Sequence, residues 1–283
     1  MDDAVETGSK NVISSRNLRM LDLTYQPGFK GMAISCLVML YLPIVVLVGF
    51  SFNSNRSVSN WEHFSTDWYV QALGNEAVQN AAVVSIKLAI LATIFSTLIA
   101  TAAALATTRV RTFKGMPAVF GIINMPLMVP EIVTAIATLS FFALLKVATG
   151  ISFGFGNLVI AHTVFCIPFA YLPIRARLED MDLTLEHAAM DLYATPWKTF
   201  TRVTLPLLVP GIIAGGMLAF IVSFDDVIIT YMVSGPGETT LPIYILGQIR
   251  RGVTPEINAV STILLIVSFI FVTLLFLILR KKK

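Results

Sequence analysis

The sequence predicts an all-α polytopic membrane protein with about six transmembrane helices and a loop of short helices on the cytoplasmic side. Three observations carry this expectation. Of the 283 residues, 56% are hydrophobic and 13% charged, against roughly 25% charged in soluble domains, and the mean hydropathy is +0.79. Apolar runs occupy most of the chain, and the basic residues gather in alternate connecting segments.

Six segments meet the length of about 20 residues required of a helical span: 32–52, 80–107, 118–146, 158–174, 205–232 and 257–279. Backbone polar groups in hydrocarbon must be satisfied by helices or by a closed barrel. The period-two alternation of barrel strands does not occur in these runs, so helices are expected. The longest exceed the hydrocarbon thickness and call for tilt, or for ends outside the bilayer. Residues 1–30 are polar and mixed in charge, without the apolar core and small-residue cleavage site of a signal peptide. They read as a cytosolic tail ahead of a membrane domain over 31–283.

Lysine and arginine placement sets the orientation. Lys10, Arg16, Arg19 and Lys30 precede the first span, and Arg109, Arg111 and Lys114 follow the second. Arg175, Arg177, Lys198 and Arg202 follow the fourth, and Arg280 to Lys283 follow the last, which makes 15 of the 20 basic residues on one side. Both termini are therefore expected in the cytoplasm. The net charge of +3 is accounted for by this placement and gives no support to nucleic-acid binding.

On the opposite side, Trp61, Trp68 and Tyr69 suit the membrane–water interface and predict an interfacial helix or cap within 53–79. The Gly- and Phe-rich stretch 147–157 predicts a tight turn. Cys36 and Cys166 fall inside spans as small packing residues. His162 reads as an interior histidine and His63 as a loop residue, with no metal-ligand spacing between them. Pro126 and Pro130 in the third span, and Pro168 and Pro173 in the fourth, each remove a backbone donor and predict packed kinks or gate hinges.

The segment 175–211 interrupts the apolar pattern with polar, helix-compatible sequence. Thr184 is placed to cap a short helix over 185–192, and Thr195-Pro196 is a second start signal. Trp197, Phe200 and Val203 give the second short helix an apolar face, and it is expected to end at Leu205-Pro206. A projecting helix pair of this kind either docks on another protein or lies along the membrane surface.

Within that segment, Glu186-His187-Ala188-Ala189-Met190-Asp191-Leu192-Tyr193-Ala194 followed by Val203-Thr204-Leu205-Pro206 resembles the coupling loop of ABC-importer permeases. That family's signature is Glu-Ala-Ala, three residues, Gly, nine residues, then Ile-x-Leu-Pro. The resemblance implies a type I importer permease fold whose loop, about 176–204, inserts into an ATPase subunit. Two positions depart from the signature. Its glutamate falls on His187, with Glu186 one place earlier, so either could supply the contact to the ATPase. Its glycine falls on Tyr193, which costs on the order of 1 kcal/mol in a left-handed turn or requires a different one.

A narrower resemblance rests on Ser223-Phe224-Asp225-Asp226-Val227, Val233-Ser234-Gly235-Pro236-Gly237, Thr240-Leu241-Pro242, Pro255-Glu256-Ile257-Asn258-Ala259 and Met128-Val129-Pro130-Glu131-Ile132-Val133. These are similar to the second permease subunit of spermidine/putrescine uptake systems. The family implies the bacterial inner membrane, a heterodimer with a homologous permease, two copies of an ATP-binding subunit and an external or periplasmic solute-binding protein.

Independently of the resemblance, Glu131, Asp225 and Asp226 are acids within or beside apolar spans, where a central charge costs about 2.5–3.5 kcal/mol on insertion scales. Lining a path, they favour a di- or tri-cation; as structural acids they pair with Lys87, Lys146 or backbone groups. No Gly-x-x-x-x-Gly-Lys-Ser/Thr occurs, so ATP is expected on partner subunits and no cofactor on this chain. No nucleophile–base arrangement marks an enzyme. Opines and amino-phosphonates are alternative cargoes of related permeases. An ion-coupled secondary transporter would suit the acids equally, and the spacing of the loop signature counts against it.

Overall fold

The computed structural model describes residues 27–56, 60–110, 114–252 and 254–280. The expected tail lies outside the described residues as far as 26, and residues 27–30 already belong to the first helix. The chain forms two units, Met1–Phe50 and Ser51–Lys283. The first contains α1 (Pro27–Phe50), a helix without charged residues beyond Lys30 and with Pro43 inside it. Its 24 residues cover about 36 Å at 1.5 Å per residue, enough to cross the hydrocarbon core.

The second unit opens with an aromatic cap. Phe52 and Phe64 stack with ring centroids 5.1 Å apart, and Trp68 Nε1 donates to the Asn53 carbonyl at 2.8 Å. This holds α2 (Asp67–Gly74), the short helix anticipated from the interfacial aromatics. Asn75 then caps α3 (Glu76–Thr108), its side chain accepting from Ala77 N–H at 3.0 Å. The buried face of α3 is a stripe of small residues, Ala81, Ser85, Ala89, Ala92, Ser96, Ala100 and Ala104, which lets neighbouring helices approach closely.

The third predicted span, 118–146, is two helices, α4 (Met116–Met128) and α5 (Glu131–Thr149). Proline disfavours the helical region for the residue before it, and Val129 is extended at φ −87°, ψ 135°. Glu131 therefore opens a new helix rather than sitting inside one. The turn after α5 uses Gly150 in the left-handed region, φ +72°, a conformation that suits glycine. The fourth span, α6 (Phe155–Glu179), runs unbroken through Pro168 and Pro173.

Next come α7 (Thr184–Asp191), α8 (Pro196–Thr199), a π turn (Phe200–Thr204) and α9 (Leu205–Asp225). Two expectations need correcting here. Thr184 does not cap α7; its own N–H is received by Asp182 Oδ1 at 2.9 Å, so the aspartate two residues earlier supplies the acceptor. The second short helix does not end at Leu205-Pro206 but runs through the π turn into α9, with Leu205 N–H reaching back to Phe200 O. Pro206 falls in the first turn of α9, where a missing N–H costs least.

The fifth predicted span, 205–232, likewise stops early. Asp226 is extended at φ −61°, ψ 136°, and a separate helix α10 (Ile228–Val233) follows. After it come α11 (Leu241–Ile249) and α12 (Pro255–Arg280). Ser85 Oγ on α3 accepts from Leu241 N–H at 2.7 Å, and Asn75 Nδ2 donates to Glu256 Oε1 at 3.0 Å, tying α11 and α12 to the start of α3.

Among the described residues six helices are long and apolar enough to cross a membrane. The core lies where α3, α6 and α9 pack on one another, around Ala100, Ala104, Cys166, Ala170, Tyr171, Ile174, Leu208 and Ala219. Both cysteines are free, and Cys166 is a core residue whose Sγ lies 3.4 Å from Ala219 O. Gly215 makes the α6–α9 crossing possible, since a Cβ there would stand 2.5 Å from Ala170 O.

Candidate functional site

The two helix breaks, at Val129-Pro130 and at Asp226-Val227, converge. Glu131 from the start of α5 and Asp225 and Asp226 from the end of α9 line one cleft of about 330 Å³, together with Phe165, Val222, Val227 and Ile228. None of the lining residues is basic. Non-helical backbone at membrane depth is tolerated where it lines a cavity or is buried in protein; Asp226 and Val227 of the second break line this cleft, and Glu131, next to the first break, lines it too.

The two aspartates differ in their surroundings. Asp225 is exposed to the cleft, whereas Asp226 is buried. Asp226 Oδ1 accepts from Ile229 N–H at 3.3 Å, and Oδ2 accepts from Thr230 N–H and Thr230 Oγ1, each at 2.8 Å. It therefore caps α10, the role that an aspartate ahead of a helix takes most readily. Behind it lies His162 of α6, fully buried, with Nε2 3.0 Å from Thr230 Oγ1 and 3.4 Å from Asp226 Oδ2, and Nδ1 2.9 Å from Ser223 Oγ. Asp226 thus has the ring of His162 as its neighbour on α6, and among the described residues neither Lys87 nor Lys146 pairs with it.

The second group of residues singled out in the sequence lies at the other end of α9. From Leu205 to Asp225 a helix rises about 30 Å, so the loop and the acidic cleft are separate sites joined by one helix. Glu186 turns inward. Its Oε1 accepts from Arg109 Nε at 3.0 Å and from Thr204 Oγ1 at 3.1 Å, and these three residues border a cavity of about 350 Å³ with Met190, Pro196 and Phe200. His187, Ala188 and Asp191 are exposed, Ala189 and Leu205 are half-buried, and Pro206 is exposed.

The turn after α7 takes the left-handed form anticipated at the glycine position. Tyr193 has φ +58° and is the one non-glycine with positive φ among the described residues. Ala194 N–H donates to Ala189 O at 3.1 Å and Tyr193 N–H to Met190 O at 2.9 Å, the paired bonds of a Schellman motif. Leu192 is 82% exposed, Tyr193 96% and Trp197 71%, so this end of the loop presents large apolar groups to its surroundings.

Residues 96–281 match the family described as the binding-protein-dependent transport system inner membrane component. The chain belongs to that family. It is 40% identical over 243 residues to the spermidine/putrescine transport system permease protein PotC of Escherichia coli K12, covering 86% of this chain and 90% of the relative. It is also 40% identical over 228 residues to the putrescine transport system permease protein PotI of the same strain, covering 80% and 81%. Among solved structures it is similar to a chain of the bacterial alginate ABC transporter in complex with alginate pentasaccharide-bound periplasmic protein. There the TM-score is 0.72 at 18% identity, covering 92% of this chain and 94% of that one. A chain of the inward-facing MetNI methionine ABC transporter gives a TM-score of 0.62 at 19% identity, covering 74% and 99%. At those identities the likeness is one of fold.

In this inner membrane component the matched region holds both sites, the acidic cleft and the loop from α7 to the π turn. Sequence reasoning counted Arg109 only as a loop charge, and it did not single out Thr204, Ser223 or Thr230 as partners. Thr230 carried a usable signal, because an aspartate four residues before it at a helix start marks a cap. Arg109 and Glu186 are 77 residues apart, and no local pattern connects them.

Proposed function

We propose that this chain is the permease subunit that forms part of the path of a cationic polyamine, putrescine or spermidine, through an ABC importer. The observation that carries the reading is the acidic cleft: three carboxyl groups brought together by two broken helices, with no basic residue lining it. Clustered acids at membrane depth are costly alone, and a di- or tri-cation offsets their charge. Phe165 lines the same cleft, and aromatic rings attract ammonium groups. The resemblance to PotC and PotI supports the same substrate class.

In this reading the chain pairs with a homologous permease, both sit on a dimer of ATP-binding subunits that consume the ATP, and a periplasmic or extracellular solute-binding protein delivers the cargo. The loop around Glu186, His187, Ala188, Ala189, Asp191, Tyr193, Leu205 and Pro206 receives the ATPase motion, with Leu192, Tyr193 and Trp197 as its exposed apolar face. Both termini lie in the cytoplasm, as the placement of basic residues indicates.

The test is ATP-dependent uptake of labelled putrescine and spermidine by the whole complex in proteoliposomes, with Asp225→Asn compared with the wild type. Uptake by the wild type that the variant loses, with the complex still assembled, supports an acidic polyamine path. An assembled, ATP-hydrolysing complex that takes up an opine or an amino-phosphonate and no polyamine overturns the substrate class. Uptake driven by an ion gradient without ATP overturns the importer reading itself.

A further inference from the structure

The hydrogen bonds around His162 have a direction that the atoms themselves impose. An ionised carboxylate can only accept, so Thr230 spends its single hydroxyl proton on Asp226 Oδ2, 2.8 Å away. Thr230 Oγ1 then has only lone pairs to offer His162 Nε2 at 3.0 Å, and Nε2 must carry a hydrogen. Asp226 Oδ2 lies 3.4 Å from the same nitrogen, where a bare ring nitrogen would meet a second set of lone pairs. In a neutral ring only one of the two nitrogens carries a hydrogen. Nδ1 is then bare and receives the Ser223 hydroxyl at 2.9 Å.

We propose that His162 is a positioning residue: as the neutral Nε2–H tautomer it completes a one-way relay, Ser223 to His162 to Thr230 to Asp226, that fixes the Asp226 carboxylate at the acidic cleft. The relay joins α6, the end of α9 and the start of α10, the three segments that meet at the helix break. Hydrogen bonds running in one direction polarise one another, and here they all end on Asp226. His162 touches no cargo; it holds the buried acid that borders the cleft beside Asp225. This rests on the reading of the cleft as a cation path.

Two measurements on the complete complex test it separately. With nitrogen-15 histidine, the chain has three histidines, and the signals lost in His162→Gln identify this one. Protonated Nε2 with bare Nδ1 is expected; an Nδ1–H ring or an imidazolium at neutral pH overturns the relay whatever the cargo. In uptake, His162→Phe keeps a ring but neither hydrogen bond, while His162→Gln keeps a neutral donor and acceptor. The KM for putrescine is expected to rise about tenfold in the first and stay within about threefold in the second, with kcat changing less. Equal KM values in the two variants reduce His162 to a packing group and overturn its positioning role. Absence of polyamine uptake by the wild type, with the expected tautomer observed, sinks the substrate reading and leaves the relay standing.

Discussion

Glu186 and Arg109 form an ion pair, Oε1 to Nε at 3.0 Å, that ties the first turn of α7 to the residue capping α3. Both side chains are more than four-fifths buried, and the same oxygen receives Thr204 Oγ1 from the π turn. The charges also suit their helix ends, an acid in the first turn of α7 and a cation at the end of α3. The loop is thereby tied to two membrane helices, α3 and, through the π turn, α9.

If this tie carries motion, cutting it uncouples the loop from the cleft. In Glu186→Ala, polyamine moved per ATP hydrolysed is expected to fall by about tenfold, since removing one partner of a buried pair strands the other. The exchange Arg109→Glu with Glu186→Arg is expected to restore part of the loss. Measuring uptake and phosphate release in the same proteoliposomes decides it, and an unchanged ratio in Glu186→Ala removes the tie from the mechanism.

Asp225 and Asp226 are expected to separate function from stability. Asp225 is exposed in the cleft, so Asp225→Asn should raise the KM for polyamines by about tenfold or more while leaving thermal unfolding unchanged. Asp226→Ala removes the cap of α10 and should also destabilise the protein by about 1 kcal/mol. Equal unfolding temperatures for the two variants would count against the capping role.

Tyr193 sits at φ +58° in the turn after α7. Tyr193→Gly should therefore stabilise the loop by about 1 kcal/mol. It also removes an exposed ring from the proposed ATPase contact, so affinity for the ATP-binding subunit should fall even as the permease resists heating. A variant that melts earlier than wild type would show that the ring packs within the permease.

Gly215 leaves no room for a side chain against Ala170 O. Gly215→Val should force α9 away from α6, an overpacking cost of about 1–3 kcal/mol, and reduce the amount of monodisperse complex recovered in detergent. Wild-type recovery and melting would mean that the crossing is looser than the 2.5 Å approach indicates.

Asp182 is held below the usual aspartate range, first by the Thr184 backbone N–H and then by the Thr184 hydroxyl. A depressed carboxyl stabilises the fold above its unfolded value, and that contribution is lost as pH falls through the folded one. Protection of the Thr184 amide against hydrogen exchange, corrected for intrinsic rate, should hold from pH 7 to about 5 and drop near pH 3. Asp182→Ala should lack that protection at pH 7. Protection indifferent to both changes would remove Asp182 as the start signal of α7.

Composition, apolar run length and basic placement determined the membrane class, the six spans and the loop with two helix starts, because each depends on neighbours in sequence or on the summed chemistry of a segment. The loop signature and the acids at 131, 225 and 226 were legible for the same reason. Pro130 marked a break that its local chemistry already implied, although the span was expected to continue through it. What the tertiary structure decided is which groups meet: Glu131 with Asp225 and Asp226 in one cleft, His162 with Ser223 and Thr230 behind it, and Arg109 with Glu186 across 77 residues. It also decided that Asp226 is spent on capping while Asp225 stays open to the cleft. Such pairings follow from how α3, α6 and α9 cross, and the crossing is fixed by small residues and close backbone approach that no local pattern encodes.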